Sequence, residues 1–117
     1  MNESNYGTLE ACKKLVEKGI VLETEAGWYK IFRPGCHDFD MVLSARSGNE
    51  KFYGDNYPAP SMAEVWRELK ELSFSCRLQK DGSYLVWLED DTYEEINRNP
   101  TDALIDLLIW VKEQKDE

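Results

Sequence analysis

The densest chemistry in the chain lies in one short run, Cys36-His37-Asp38-Phe39-Asp40, directly after Pro34-Gly35. A thiol, an imidazole and two carboxylates so close together could supply a nucleophile with its base, or part of a metal site. The spacing argues against both. A Cys–His pair needs the ring turned toward the sulfur, which adjacent side chains rarely achieve; working pairs meet across a fold. His37 is the only histidine, so no distant imidazole can serve Cys36. No recognised ligand spacing joins His37, Asp38 and Asp40. The run is expected to be a polar loop whose acids bond nearby backbone. A small metal-dependent hydrolase using His37 and these acids is the alternative reading.

Glu89-Asp90-Asp91 with Glu94-Glu95 is the densest acid cluster. Paired carboxylates can hold a divalent cation or act as general acid, but the calcium-loop pattern with its central glycine is absent. A solvated loop leading into a helical turn is expected here. The glycines are isolated, so no phosphate-cradling loop is present, and no serine sits in a nucleophile elbow. No catalytic residue, metal or cofactor is therefore expected. Trp28, Tyr29, Tyr53 and Tyr57 fall at strand ends and loops, where amphipathic rings often mark contact surfaces, and form the candidate interaction patch. Trp66, Trp87 and Trp110 lie on periodic faces and are expected in the core.

Composition narrows the class further. The 117 residues suit one domain with one core. Lys and Arg number 14 and Asp and Glu 23, giving a net charge of −9. That field repels phosphate backbones and anionic lipid, so no nucleic-acid or membrane partner is expected, while a basic protein partner is permitted. Cys12, Cys36 and Cys76 are too widely spaced for a zinc ribbon or a redox CxxC. Without an export signal or an apolar span they are expected as reduced thiols in a cytoplasmic protein, with Cys12 and Cys76 in the core.

The elements that would position these groups announce themselves by their caps. Thr8 opens a helix with Leu9, Cys12, Leu15 and Val16 on one face, stopped at Gly19. Ser61 with Glu64 opens a second, carrying Met62, Val65, Trp66, Leu69 and Leu72. Asn99 with Asp102 opens a third, from about Pro100 to Lys115; both pairs have the spacing of a capping box. Ile20–Thr24 and Trp28–Arg33 read as a hairpin around Glu25-Ala26-Gly27. Asp40–Ala45 is a further strand candidate, turning toward a short Lys51–Tyr53. Phe74, Cys76 and Leu78 alternate, and Asp81-Gly82 turns their strand onto Tyr84–Leu88. Asp91–Glu95 suggests a helical turn.

Leu9-Glu10-Ala11 with Leu15 and Gly19-Ile20, the Pro58-Ala59-Pro60-Ser61 entry with Trp66, and Asn99-Pro100 through Leu107-Leu108-Ile109-Trp110 carry a resemblance. With these pieces the chain resembles small conserved proteins of unknown function from prophages and mobile elements of gut Bacteroides-like bacteria. The resemblance implies a single α+β domain and supplies no catalytic residue. The expected fold is α+β, three helices on one face of a mainly antiparallel sheet, spanning 1–117 with 1–6 and 113–117 disordered. The expected role is that of a non-enzymatic accessory protein that binds an unidentified protein partner, itself a monomer or weak dimer.

Overall fold

A computed structural model describes residues 3–32, 35, 39–45 and 56–115. The fold is α+β. A 3-10 turn at Glu3–Asn5 leads into α1 (Leu9–Glu17), then β1 (Ala26–Phe32), β2 (Phe39–Ala45) and β3 (Tyr57–Ala59). These are followed by α2 (Met62–Glu68), β4 (Phe74–Leu78), β5 (Tyr84–Leu88), β6 (Glu94–Asn97) and α3 (Pro100–Lys115). Parts of both termini expected to be disordered thus belong to the 3-10 turn and the last turn of α3. The strands form two antiparallel three-stranded sheets, ordered β2-β1-β3 and β4-β5-β6, rather than the one sheet expected. No helix among the described residues is long and apolar enough to cross a membrane.

α3 is central. Ala103, Leu104, Ile105, Leu107 and Leu108 are all at most 1% exposed, so the helix is enclosed on several sides rather than amphipathic. Val86 and Leu88 of β5, Val65 of α2 with Leu69 at its C-cap, and Ala11 and Leu15 of α1 complete this main core. Cys12, on the adjoining flank of α1, enters a second small core with Ala26 and Ala59 of the first sheet. One helix therefore joins both cores. The expected α1 face is shifted by this arrangement: Ala11, Cys12 and Leu15 are buried, whereas Val16 is 46% exposed.

Local chemistry explains the ends. Ser61 and Glu64 form a complete capping box, with bonds of 3.1 and 2.8 Å. Asn99 caps α3, its Oδ1 accepting from Thr101 and Asp102 backbone N–H at 2.8 and 3.1 Å. The Asp102 carboxylate does not return to Asn99. It accepts from the backbone N–H of Thr8 at 2.8 Å and from the Thr8 hydroxyl at 2.6 Å, while the backbone N–H of Asn99 donates to Asn97 Oδ1. Thr8 Oγ1 in turn accepts from Ala11 N–H and caps α1.

Two local expectations change. Ile20–Thr24 is not a strand; Gly19, at φ +71°, ends α1, and Ile20 N–H bonds back to Leu15. Ile20 and Leu22 then reach the main core, and β1 pairs instead with β2 and β3. The Asp91–Glu95 region is a strand entry, not a helical turn. Asp90 Oδ1 accepts from Thr92 backbone and hydroxyl, Asp91 turns at φ +61°, and β6 pairs with β5. The Asp81-Gly82 turn forms as expected, with Gly82 at φ +88°. The expected strand at Lys51–Tyr53 lies outside the described residues.

Leu69, Leu104, Leu107 and Leu108 are buried as anticipated, and Phe74 is half-buried against the same core. Gly7 is the tightest backbone contact. A Cβ there would lie 2.6 Å from Ile105 Cδ1 and 3.1 Å from Cys12 Sγ. Gly7→Ala is therefore expected to cost ~1–3 kcal/mol as overpacking of a filled core, measurable by urea denaturation; unchanged stability would show that Ile105 moves aside freely.

Candidate functional site

The sequence-derived aromatic patch divides between two faces of the first sheet. Trp28 of β1 pairs with Leu43 of β2 and Tyr57 of β3, so these three share the face that meets Cys12, Ala26 and Ala59. The Trp28 indole N–H donates to Gly7 O at 2.9 Å. Lys13 Nζ stands 5.8 Å from the centre of the Tyr57 ring. Tyr29 alternates to the opposite face beside Val42. Trp28, Tyr29 and Tyr57 are each half-buried, and Trp28 and Tyr57 belong to the second core. Tyr53 lies outside the described residues, as do Cys36, His37 and Asp38; Asp40 sits exposed on β2.

The tryptophan that stands out most is Trp66. It is 46% exposed, contrary to the core position expected for it. α2 is short and buries Val65 and, at its C-cap, Leu69, and this orientation leaves Trp66 leaning on Phe74, ring centres 4.8 Å apart. Beside it a groove of about 560 Å³ is lined by Asn5, Tyr6, Glu25, Ser61, Met62, Ala63 and Trp66. The Tyr6–Ser61 bridge and the bond from Glu25 N–H to Glu64 Oε2 fix its two sides. Apolar rings mixed with polar side chains have the composition of a protein-contact hot spot. The sequence hid this site because Trp66 falls on the same helical stripe as Val65 and Leu69. Only the packing of α2 on α3 decides which of them turns outward.

Trp87 departs from expectation for a different reason. The alternation of β5 points Val86 and Leu88 into the main core, so Leu85 and Trp87 lie on the other face of the second sheet. Trp110 is half-buried against the core, its ring 5.2 Å from that of Tyr93.

The strongest electrostatic perturbation lies where β6, α3 and α1 meet. The Tyr93 hydroxyl donates to Glu95, whose carboxyl is a near neighbour of that of Asp106. Lys14 Nζ lies 3.9 Å from Asp106, whose side chain is 16% exposed. Burial first, then the neighbouring Glu95 carboxyl and its charge, push the Asp106 carboxyl up to about 6; Lys14 opposes this and Asp102 adds to it. Burial and Glu95 also hold the Tyr93 phenol well above its usual range. The adjoining cavity of about 260 Å³ is lined by Lys14, Lys18, Trp110 and Glu113 among others. A carboxyl with this affinity can exchange a proton near neutrality.

The two described thiols, Cys12 and Cys76, are quiet. Burial and the nearby Asp102 push Cys12 up to about 12, and burial raises Cys76. Among the described residues no group of three or more His, Cys, Asp or Glu side chains is placed to hold a metal ion.

No protein-family model, curated protein or solved structure matches the chain.

Asp106 makes a signed prediction. Its folded pKa lies above the unfolded value, so between about pH 4 and 6 the native state binds more protons than the unfolded chain. Stability should rise as pH falls from 7 to about 5, by ~1 kcal/mol from this group. Asp81 and Asp90, held low by bonds from Ser83 and Thr92, act in the opposite sense only at lower pH. Asp106→Asn should flatten the rise and be the more stable form at pH 7. A wild-type chain that loses stability from pH 7 to 5 would contradict the raised proton affinity of Asp106.

Proposed function

We propose that the protein acts by binding another protein, holding a basic, partly apolar segment of it in the Trp66 groove. The observation that carries this reading is Trp66 itself, a large ring nearly half exposed beside a groove lined by Tyr6, Met62 and Ala63 together with Glu25. A buried aromatic anchor inside a polar ring is the usual source of binding energy at protein interfaces. The net charge of −9 would speed encounter with a basic partner and make that rate fall with salt. The resemblance to proteins of mobile elements is in keeping with an accessory role of this kind. The quartet of Trp28, Tyr29, Tyr53 and Tyr57 is a weaker choice, because Trp28 and Tyr57 are used in the second core.

Capture from cells that carry the gene tests this reading, using the intact chain and two variants. Trp66→Ala should weaken the partner by ~30-fold, the equivalent of a 2 kcal/mol hot spot, with the melting transition little changed. Trp28→Ala should lower stability instead, since it removes a packed ring and leaves Gly7 O without its indole donor. A partner that binds Trp66→Ala as tightly as the wild type would overturn the assignment of the groove.

A further inference from the structure

The outer face of the second sheet is polarised along its strands. Register places Arg77, Leu85 and Ile96 in one row across β4, β5 and β6, and Ser75, Trp87 and Glu94 in the next. Ile96 is 56% exposed, while Leu85 and Trp87 are half-buried and outside the main core. Beyond the first row lies Arg98, whose Nη1 approaches Asp81 O at 3.4 Å at the hairpin turn. Beyond the second lies Glu89, bonded to Ser75 Oγ at 2.6 Å. The face thus runs from a predominantly basic end, Arg77 and Arg98 with the Asp81 carboxylate beside Arg98, over an apolar waist, to an acidic end, Glu89 and Glu94. No ion pair among the described residues engages Arg77 or Glu94, and both are exposed.

We propose that this face is a homodimer interface, on which a second copy lies face to face about a two-fold axis running across the strands. That rotation reverses the strand direction, so the basic end of each copy meets the acidic end of the other, twice over. It also sets Leu85 against the partner subunit's Trp87. An axis along the strands would instead lay basic on basic and acid on acid, so the charges select one arrangement of the two. A surface that is its own complement under a two-fold is what an isologous interface requires. Its size sets the strength. Three strands ~4.8 Å apart with five residues rising ~3.4 Å each cover a plan of about 14 by 17 Å, well short of the ~800 Å² per partner of a stable complex. The dimer is therefore weak and in fast exchange. It involves a surface separate from the Trp66 groove and stands or falls independently of it.

Sedimentation of the full chain and of two double variants provides the test. Arg77→Glu with Arg98→Glu makes both ends acidic, and Glu89→Lys with Glu94→Lys makes both basic. Each alone should self-associate at least ~10-fold more weakly than the wild type, a loss of about 1.4 kcal/mol. Mixed in equal amounts they should form a heterodimer at least as tight as the wild-type pair, and adding Trp87→Ser to both should abolish it. Melting curves establish that each variant is folded. Should one fail to fold, concentration-dependent amide shifts in the wild type decide instead, and they should centre on Leu85, Trp87 and Ile96. A wild type that stays monomeric at the highest concentration it tolerates would overturn the proposal. So would a mixture that does not associate, one indifferent to Trp87→Ser, or shifts centred elsewhere.

Discussion

The carboxylate of Asp102, 8% exposed, meets the first turns of two helices at once. It belongs to the first turn of α3, where an anion faces the positive end of that helix. Its two oxygens are spent on Thr8, the cap of α1, through bonds of 2.8 and 2.6 Å. A charge buried this far is tolerable only when its acceptor capacity is used, and Thr8 supplies both donors. The consequence is geometric. The start of α1 is fixed to the start of α3, and the rest of α1 must follow along the flank of the central helix.

That placement divides the apolar residues of α1 between the two cores. Ala11 and Leu15 close over α3, while Cys12 turns toward Ala26 and Ala59. Gly7, one residue before the joint, fits against Ile105 only because it lacks a Cβ, and its carbonyl accepts from the Trp28 indole and the Cys12 thiol. The first sheet is therefore held through the same short segment that holds α1. The second sheet is tied to α3 by Val86 and Leu88, and at its edge Glu95 neighbours Asp106. With their inner faces committed in this way, the two sheets do not share a surface, which is why two small sheets replace a single larger one. The surfaces left over, the Trp66 groove and the Leu85–Trp87 face, are those on which binding has been placed.

Much of this was legible in the residues, wherever the deciding interaction is local. Thr8, Ser61 and Asn99 each cap the helix they precede, because an N-cap needs only a side chain and the next turn of backbone. Asp81-Gly82 turns its hairpin for the same reason. The strong apolar content of 103–109 marks a buried helix. What could not be read depends on distant partners. Asp102 has the spacing of a capping-box acid, yet Thr8, 94 residues away, competes for it and wins. Ile20–Thr24 has strand composition, but Gly19 and the bond to Leu15 send it back over the core. Trp66 and Trp87 obey their periodicities. Which side of a helix or sheet faces inward was decided by elements that the local pattern does not contain.

The Asp102–Thr8 joint is tested most directly by a double-mutant cycle in urea, with Thr8→Ala, Asp102→Ala and the pair. If the carboxylate holds α1 to α3 through Thr8, each single change destabilises the chain and the pair costs less than the sum. The expected coupling is ~1–2 kcal/mol, the range of buried, charge-assisted hydrogen bonds. Additivity within ~0.3–0.5 kcal/mol, the behaviour of independent sites, would contradict the account and leave the position of α1 to apolar packing alone.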